Sequence, residues 1–166
     1  MSFNEFLKRC KSNPWRVDRE TISGSPVPVI MGILNVTPDS FFDGGLYKNE
    51  DNALEHAIKL LDDGAKIIDV GGESSRPGAS CVTAEEEINR VVPVIKKLKP
   101  LSASRSFFIS VDTTKAKTAK AALEAGAHIV NDVSMLSDEK MPQVIKDFDA
   151  SVILNHRRGN FSTMQK

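Results

Sequence analysis

Apolar and polar positions alternate in two rhythms along this chain. Short, nearly uncharged runs recur at residues 29–34, 66–72, 107–112, 128–133 and 151–156. Rich in Val, Ile and Phe, they read as strands buried on both faces. Between them the apolar residues fall at helical spacing. Ala53, Leu54, Ala57, Ile58 and Leu61 share one face over residues 51–61, and Gly64 suits the C′ position. Thr83-Ala84-Glu85-Glu86 is a capping box, followed by a stripe of Ile88, Val91, Val92, Ile95 and Leu98 that Pro93 should kink. Thr113 or Thr114 is placed to cap a helix whose Ala116, Ala119, Ala122 and Leu123 face inward and which Gly126 ends. Met141, Val144, Ile145 and Phe148 mark one more helix. Before all this, residues 1–28 carry Trp15-Arg16-Val17 and Glu20-Thr21-Ile22, a small hairpin or extended cap plugging one end of the core that residues 29–166 form.

Strict strand-then-helix alternation with apolar strands means an α/β fold, a parallel sheet covered by helices. Five such units fit an open doubly wound sheet or the first five of a (β/α)8 barrel, and periodicity does not choose. The polar residues at the strand ends favour the barrel. Asn35, Gly71-Gly72-Glu73, Asp112, Asn131 and His156 all stand where strands finish. A barrel gathers those ends around one site, whereas an open sheet spreads them along an edge.

Charge and composition narrow the function classes. Lys plus Arg equals Asp plus Glu, at 22 each, so no net field favours nucleic acid or an anionic membrane. No apolar run approaches the ~20 residues of a membrane span, and no signal peptide is visible at the N-terminus. Cys10 and Cys81 are isolated, which suggests a reducing cytoplasm rather than a disulfide framework or metal cluster.

The chemistry concentrates in the strand-end loops. Asn35-Val36-Thr37-Pro38-Asp39-Ser40-Phe41 with Asp43-Gly44-Gly45 follows the first strand. Gly72-Glu73-Ser74-Ser75-Arg76-Pro77-Gly78-Ala79 follows the second; its small residues admit a ligand close to the backbone, and Arg76 is a forked cation suited to phosphate. Asp112 ends the third strand and Asn131 the fourth. By themselves, Asp112 would do as a helix cap and Asn131 as a turn former. The fifth runs into Leu154-Asn155-His156-Arg157-Arg158-Gly159-Asn160, then Ser162-Thr163-Met164-Gln165. His156, read by itself, is as well explained by packing as by a role in a site.

These motifs, in this order, resemble the signatures of the dihydropteroate synthase family. Two features depart from that family's pattern: Ser75 stands for its usual Thr, and Asn155 and Arg157 replace the methionines of its Met-His-Met segment. The resemblance implies a (β/α)8 barrel, Mg²⁺ dependence, and condensation of 6-hydroxymethyl-7,8-dihydropterin pyrophosphate with p-aminobenzoate. It further implies that Asn35 holds Mg²⁺. Asp39 and Arg76 would close over the site and act catalytically, shaping the p-aminobenzoate pocket. Ser75, Asp112 and Asn131 would bind the dihydropterin, and the full-length protein would be a homodimer. A whole barrel takes about 250 residues, so these 166 are expected to be the N-terminal part of a longer protein. Rival readings are a methyltetrahydrofolate-binding methyltransferase barrel, which should lack the Thr-Pro-Asp-Ser-Phe and Ser-Arg-Pro-Gly loops, and an inactive fragment.

Overall fold

The computed structural model describes residues 16–17, 20–21, 28–37, 46–73 and 81–155. Strands β1 (Arg16–Val17) and β2 (Glu20–Thr21) form a separate antiparallel pair. Five parallel strands then follow one another in a second sheet in chain order: β3 (Met31–Asn35), β4 (Ile67–Gly71), β5 (Phe108–Asp112), β6 (Ile129–Asp132) and β7 (Ser151–Leu154). Helices α1 (Leu46–Asp62), α2 (Ala84–Arg105), α3 (Ala116–Ala125) and α4 (Met141–Asp147) connect them. An order with no reversal is that of consecutive barrel units, because a doubly wound sheet changes direction at a switch point.

The five-stranded sheet has two unlike faces. Leu34, Ile68, Val70, Ile109, Val111 and Val130 turn outward into the main core against the helices. At its amino-terminal end the inner face is apolar: Val17 of β1 packs with Ile67 and Ile129 and is itself fully buried. Further along, that face carries Asp69, Ser110, Asn131 and Asp112.

Several sequence expectations are corrected. The first strand is not buried on both faces: Ile33, on the inner face beside Asp69, is 61% exposed, and Ile30, just before the strand, is 54% exposed. Helix α1 begins at Leu46 rather than Asp51. Helix α2 continues to Arg105 with both Pro93 and Pro100 inside it. Thr83 caps it as the pattern indicates, accepting from the Glu86 amide at 3.2 Å. Neither Thr113 nor Thr114 caps α3. Its N-cap residue is Lys115, and the first helical amide, Ala116 N, donates instead to Asp138 Oδ2 from a distant loop at 2.9 Å. Phe148 lies just past α4 and is exposed. Strand β6 ends at Asp132, and strand β7 stops at Leu154, two residues short of the expected end.

Candidate functional site

Register assembles the site. Asn35 pairs with Gly71, Gly71 with Asp112, Asp112 with Asn131, and Asn131 with Ile153. Residues opposite one another in a parallel sheet project to the same side, so the predicted Asn35, Asp112 and Asn131 share one row at the carboxyl ends. Gly71 keeps that row open: a Cβ there would sit 3.4 Å from Asn35 Oδ1 and 3.7 Å from Asp112 Oδ2. The two oxygens thus flank a gap that a side chain would fill. Asp39, Ser75, Arg76 and His156 lie outside the described residues.

Asn131 is almost fully buried and held from two sides. Its Nδ2 donates to Asp69 Oδ2 at 2.8 Å, and its Oδ1 accepts from Asn155 Nδ2 at 3.0 Å. Asp69 is absent from the residues that sequence alone singles out. Its signal was a lone carboxylate inside an apolar strand, which low-dielectric surroundings tolerate only with a partner. Burial raises its pKa above the ordinary carboxylate range, although the nearby Ser110 hydroxyl and the Asn131 amide pull the other way. Asp69 Oδ1 and Ser110 Oγ are buried with no partner in hydrogen-bond geometry.

Asp112 is buried among other carboxylates. Burial first, then the charges of Asp69, Glu87, Asp132 and Glu73, push its pKa up to about 7. It therefore changes charge near neutrality. Asp132, on the neighbouring strand, shapes backbone instead. Its carboxylate accepts from Ser134 N and Oγ and from Leu136 N, holding a loop in which Met135 and Leu136 have positive φ.

The base of the second loop is clamped. Lys115 Nζ pairs with Glu73, and also with Glu87 at 3.1 Å. Burial alone would lower the Lys115 pKa, but these two carboxylates hold it above the ordinary value. Glu87, 1% exposed, also accepts from Thr118 Oγ1 at 2.9 Å. Arg90 Nη1 donates to Gly72 O at 2.7 Å. Gly72 is required for this approach, since a Cβ there would meet Val91 Cγ1 at 2.9 Å and the Glu87 carbonyl at 3.2 Å. Glu87 lies on the buried face of α2 with Val91, Val94, Ile95 and Leu98, whereas the sequence stripe had Ile88 and Val92 in place of Glu87 and Val94.

No group of three or more His, Cys, Asp or Glu among the described residues forms a metal cluster. Asn35 Oδ1 nonetheless suits Mg²⁺, which takes hard oxygen ligands and usually keeps several waters and substrate phosphates rather than a full protein cage. A cavity of about 340 Å³ bordered by Lys99, Ser102, Phe107, Phe108 and His128 lies at the amino-terminal ends of β5 and β6, away from the polar row.

Comparison with known proteins bears on the fold and the family. The profile of a family described as "Pterin binding enzyme" matches residues 31–166. The chain is 52% identical over 144 residues to a dihydropteroate synthase of Streptococcus pyogenes, covering 86% of this chain and 52% of that protein. A crystal structure of dihydropteroate synthase from Clostridium difficile in the presence of pteroic acid aligns with a TM-score of 0.73 and 52% identity, over 78% of this chain and 49% of that one. The Xanthomonas albilineans dihydropteroate synthase with 4-aminobenzoic acid aligns at 0.78 and 40%, over 89% and 53%. The chain thus spans about half the length of the curated relatives it matches.

Proposed function

This chain belongs to the family of pterin-binding enzymes, and we propose that the complete protein carrying it is a transferase of folate biosynthesis. It joins 6-hydroxymethyl-7,8-dihydropterin pyrophosphate to p-aminobenzoate, giving 7,8-dihydropteroate and pyrophosphate. The observation that carries this reading is the row of Asn35, Asp112 and Asn131 around the open face of Gly71. An ionised Asp112 accepts two adjacent N–H groups, as the 2-amino edge of a pterin offers. Asn131 adds a donor and an acceptor beside it.

The reacting carbon is a methylene bonded to the pyrophosphate oxygen. Breaking that bond sends the electron pair to pyrophosphate, and the electron-rich pterin stabilises the positive charge left on the methylene. The aromatic amine of p-aminobenzoate then forms the new C–N bond and gives up a proton. The protein contributes by positioning the partners and stabilising charge. Asp112 and Asn131 hold the pterin, together with Ser75. Asp39 and Arg76, on the first two loops, close over the site and shape the p-aminobenzoate pocket. Asn35 would hold Mg²⁺, whose charge eases departure of the pyrophosphate. The Lys115–Glu73 and Arg90–Gly72 contacts anchor the strand end from which the second loop starts. The same reading makes the complete protein a homodimer, as the family resemblance implies, working in the reducing cytoplasm that its isolated cysteines suggest.

The test is pyrophosphate release by the complete protein with both substrates across a Mg²⁺ titration. Release that needs both substrates and the metal supports the reading; release independent of p-aminobenzoate, or none, overturns it.

A further inference from the structure

We infer that Asn155 is a positioning residue for this site: its side-chain amide sets the rotation of the Asn131 amide, and so which donor and acceptor Asn131 turns toward the pterin. The inference rests on the proposed dihydropterin site and adds a specificity-determining contact to it.

An asparagine amide has two N–H donors at one end and two lone pairs at the other. Left free, it can turn over and exchange them. Asn131 is tied at both ends. Its Nδ2 end meets Asp69, donating to the carboxylate oxygen Oδ2 at 2.8 Å. Oδ1 then faces the end of β7, where Asn155 Nδ2 supplies a donor at 3.0 Å. Every bond in the relay Asn155→Asn131→Asp69 runs in one direction, and reversing the middle amide would set carbonyl oxygen against carboxylate. One N–H and one lone pair of Asn131 remain for a ligand, in a fixed order.

Methionine, which the family pattern places at position 155, cannot donate. This chain therefore holds Asn131 by a bond that such a side chain does not make. Asn155 is exposed and lies beyond the strand, so replacing it need not disturb the core.

The test is steady-state kinetics of the complete protein with Asn155→Asp and Asn155→Leu, varying each substrate in turn. Asn155→Asp keeps the shape but sets an acceptor against Asn131 Oδ1, driving the amide to turn. It should raise KM for the dihydropterin pyrophosphate about tenfold or more, with kcat changed by no more than about threefold and KM for p-aminobenzoate unchanged. Asn155→Leu only removes the donor and should raise the same KM less, by about threefold. If Asn155→Asp matches wild type, if Asn155→Leu is the worse of the two, or if both KM values rise together, the inference is overturned while the functional reading stands. A wild-type protein without condensation activity overturns both.

Discussion

Asn131 and Asp69 are hydrogen-bonded at 2.8 Å although they stand on β6 and β4, with β5 between them. Neighbouring strands are spaced about 4.8 Å apart, so alternate strands in a flat sheet would hold these backbones about 10 Å apart. Inward curvature brings their side chains together. In a (β/α)8 barrel, interior layers are built from alternate strands in this way. The bond is thus a mark of barrel curvature as well as the support of a candidate ligand residue.

Removing that support has a cost. Asp69→Ala in the complete protein leaves the Asn131 N–H buried without its acceptor, and should lower stability by about 1–3 kcal/mol. Relief of the buried charge offsets part of this, so the loss should shrink as pH rises from the ordinary carboxylate range through the raised Asp69 pKa and stay level above it. Urea unfolding at several pH values measures both effects.

Asp112 makes pterin binding depend on pH. Its ordinary pKa of 3.8 is raised to about 7, so the folded protein holds this proton more tightly than the unfolded chain. Its contribution to stability is therefore fully present below pH about 4 and is lost as pH rises through about 7. Ligand binding has the opposite sign, because pterin N–H donors need the ionised carboxylate. Affinity should be level above pH about 8 and fall by about tenfold per unit well below 7, with proton release on binding near pH 6. Calorimetry in buffers of different ionisation enthalpy reads that proton directly.

The clamp on the second loop should outweigh a surface pair. Lys115→Met strands Glu87, which is almost fully buried, and should destabilise by about 2–4 kcal/mol. Lys117→Met breaks only the exposed, solvent-screened pair with Glu85 and should leave stability nearly unchanged. Parallel thermal or urea melts compare them.

The cap contributed by a distant loop can be tested alone. Asp138→Ala frees Ala116 N at the start of α3 and should cost about 0.5–2 kcal/mol. Thr114→Ala should leave stability within about 0.5 kcal/mol of wild type. Reversed magnitudes in denaturant melts would restore the cap that local sequence suggested.

Much of this was legible in the sequence, for physical reasons. Strand and helix periods differ so plainly that the five units and the polar strand ends could be read directly, and Asn35, Asp112 and Asn131 do share one row. Long-range partners could not be read. Thr113 stands where a local cap belongs, yet its Oγ1 accepts from Lys115 N and the helix is capped by Asp138, 22 residues from Ala116. Asp69 carries charge at a position whose spacing predicts burial, a conflict visible in sequence although its resolution by Asn131 was not. The burial of Glu87 against Lys115 and Thr118 was not visible either. The exposure of Ile33 was equally hidden, since an apolar strand run does not reveal what covers each face.

Asp112 is the residue on which the functional reading turns, as the anchor of a dihydropterin at the carboxyl ends of these strands. The most direct test is calorimetric titration of the complete protein and its Asp112→Asn variant with 6-hydroxymethyl-7,8-dihydropterin pyrophosphate at pH 8. The substitution exchanges one acceptor for a donor and leaves a ligand N–H facing it, so affinity should fall by about tenfold or more, with the folded state intact by circular dichroism. Equal affinity in the two proteins would contradict the assignment.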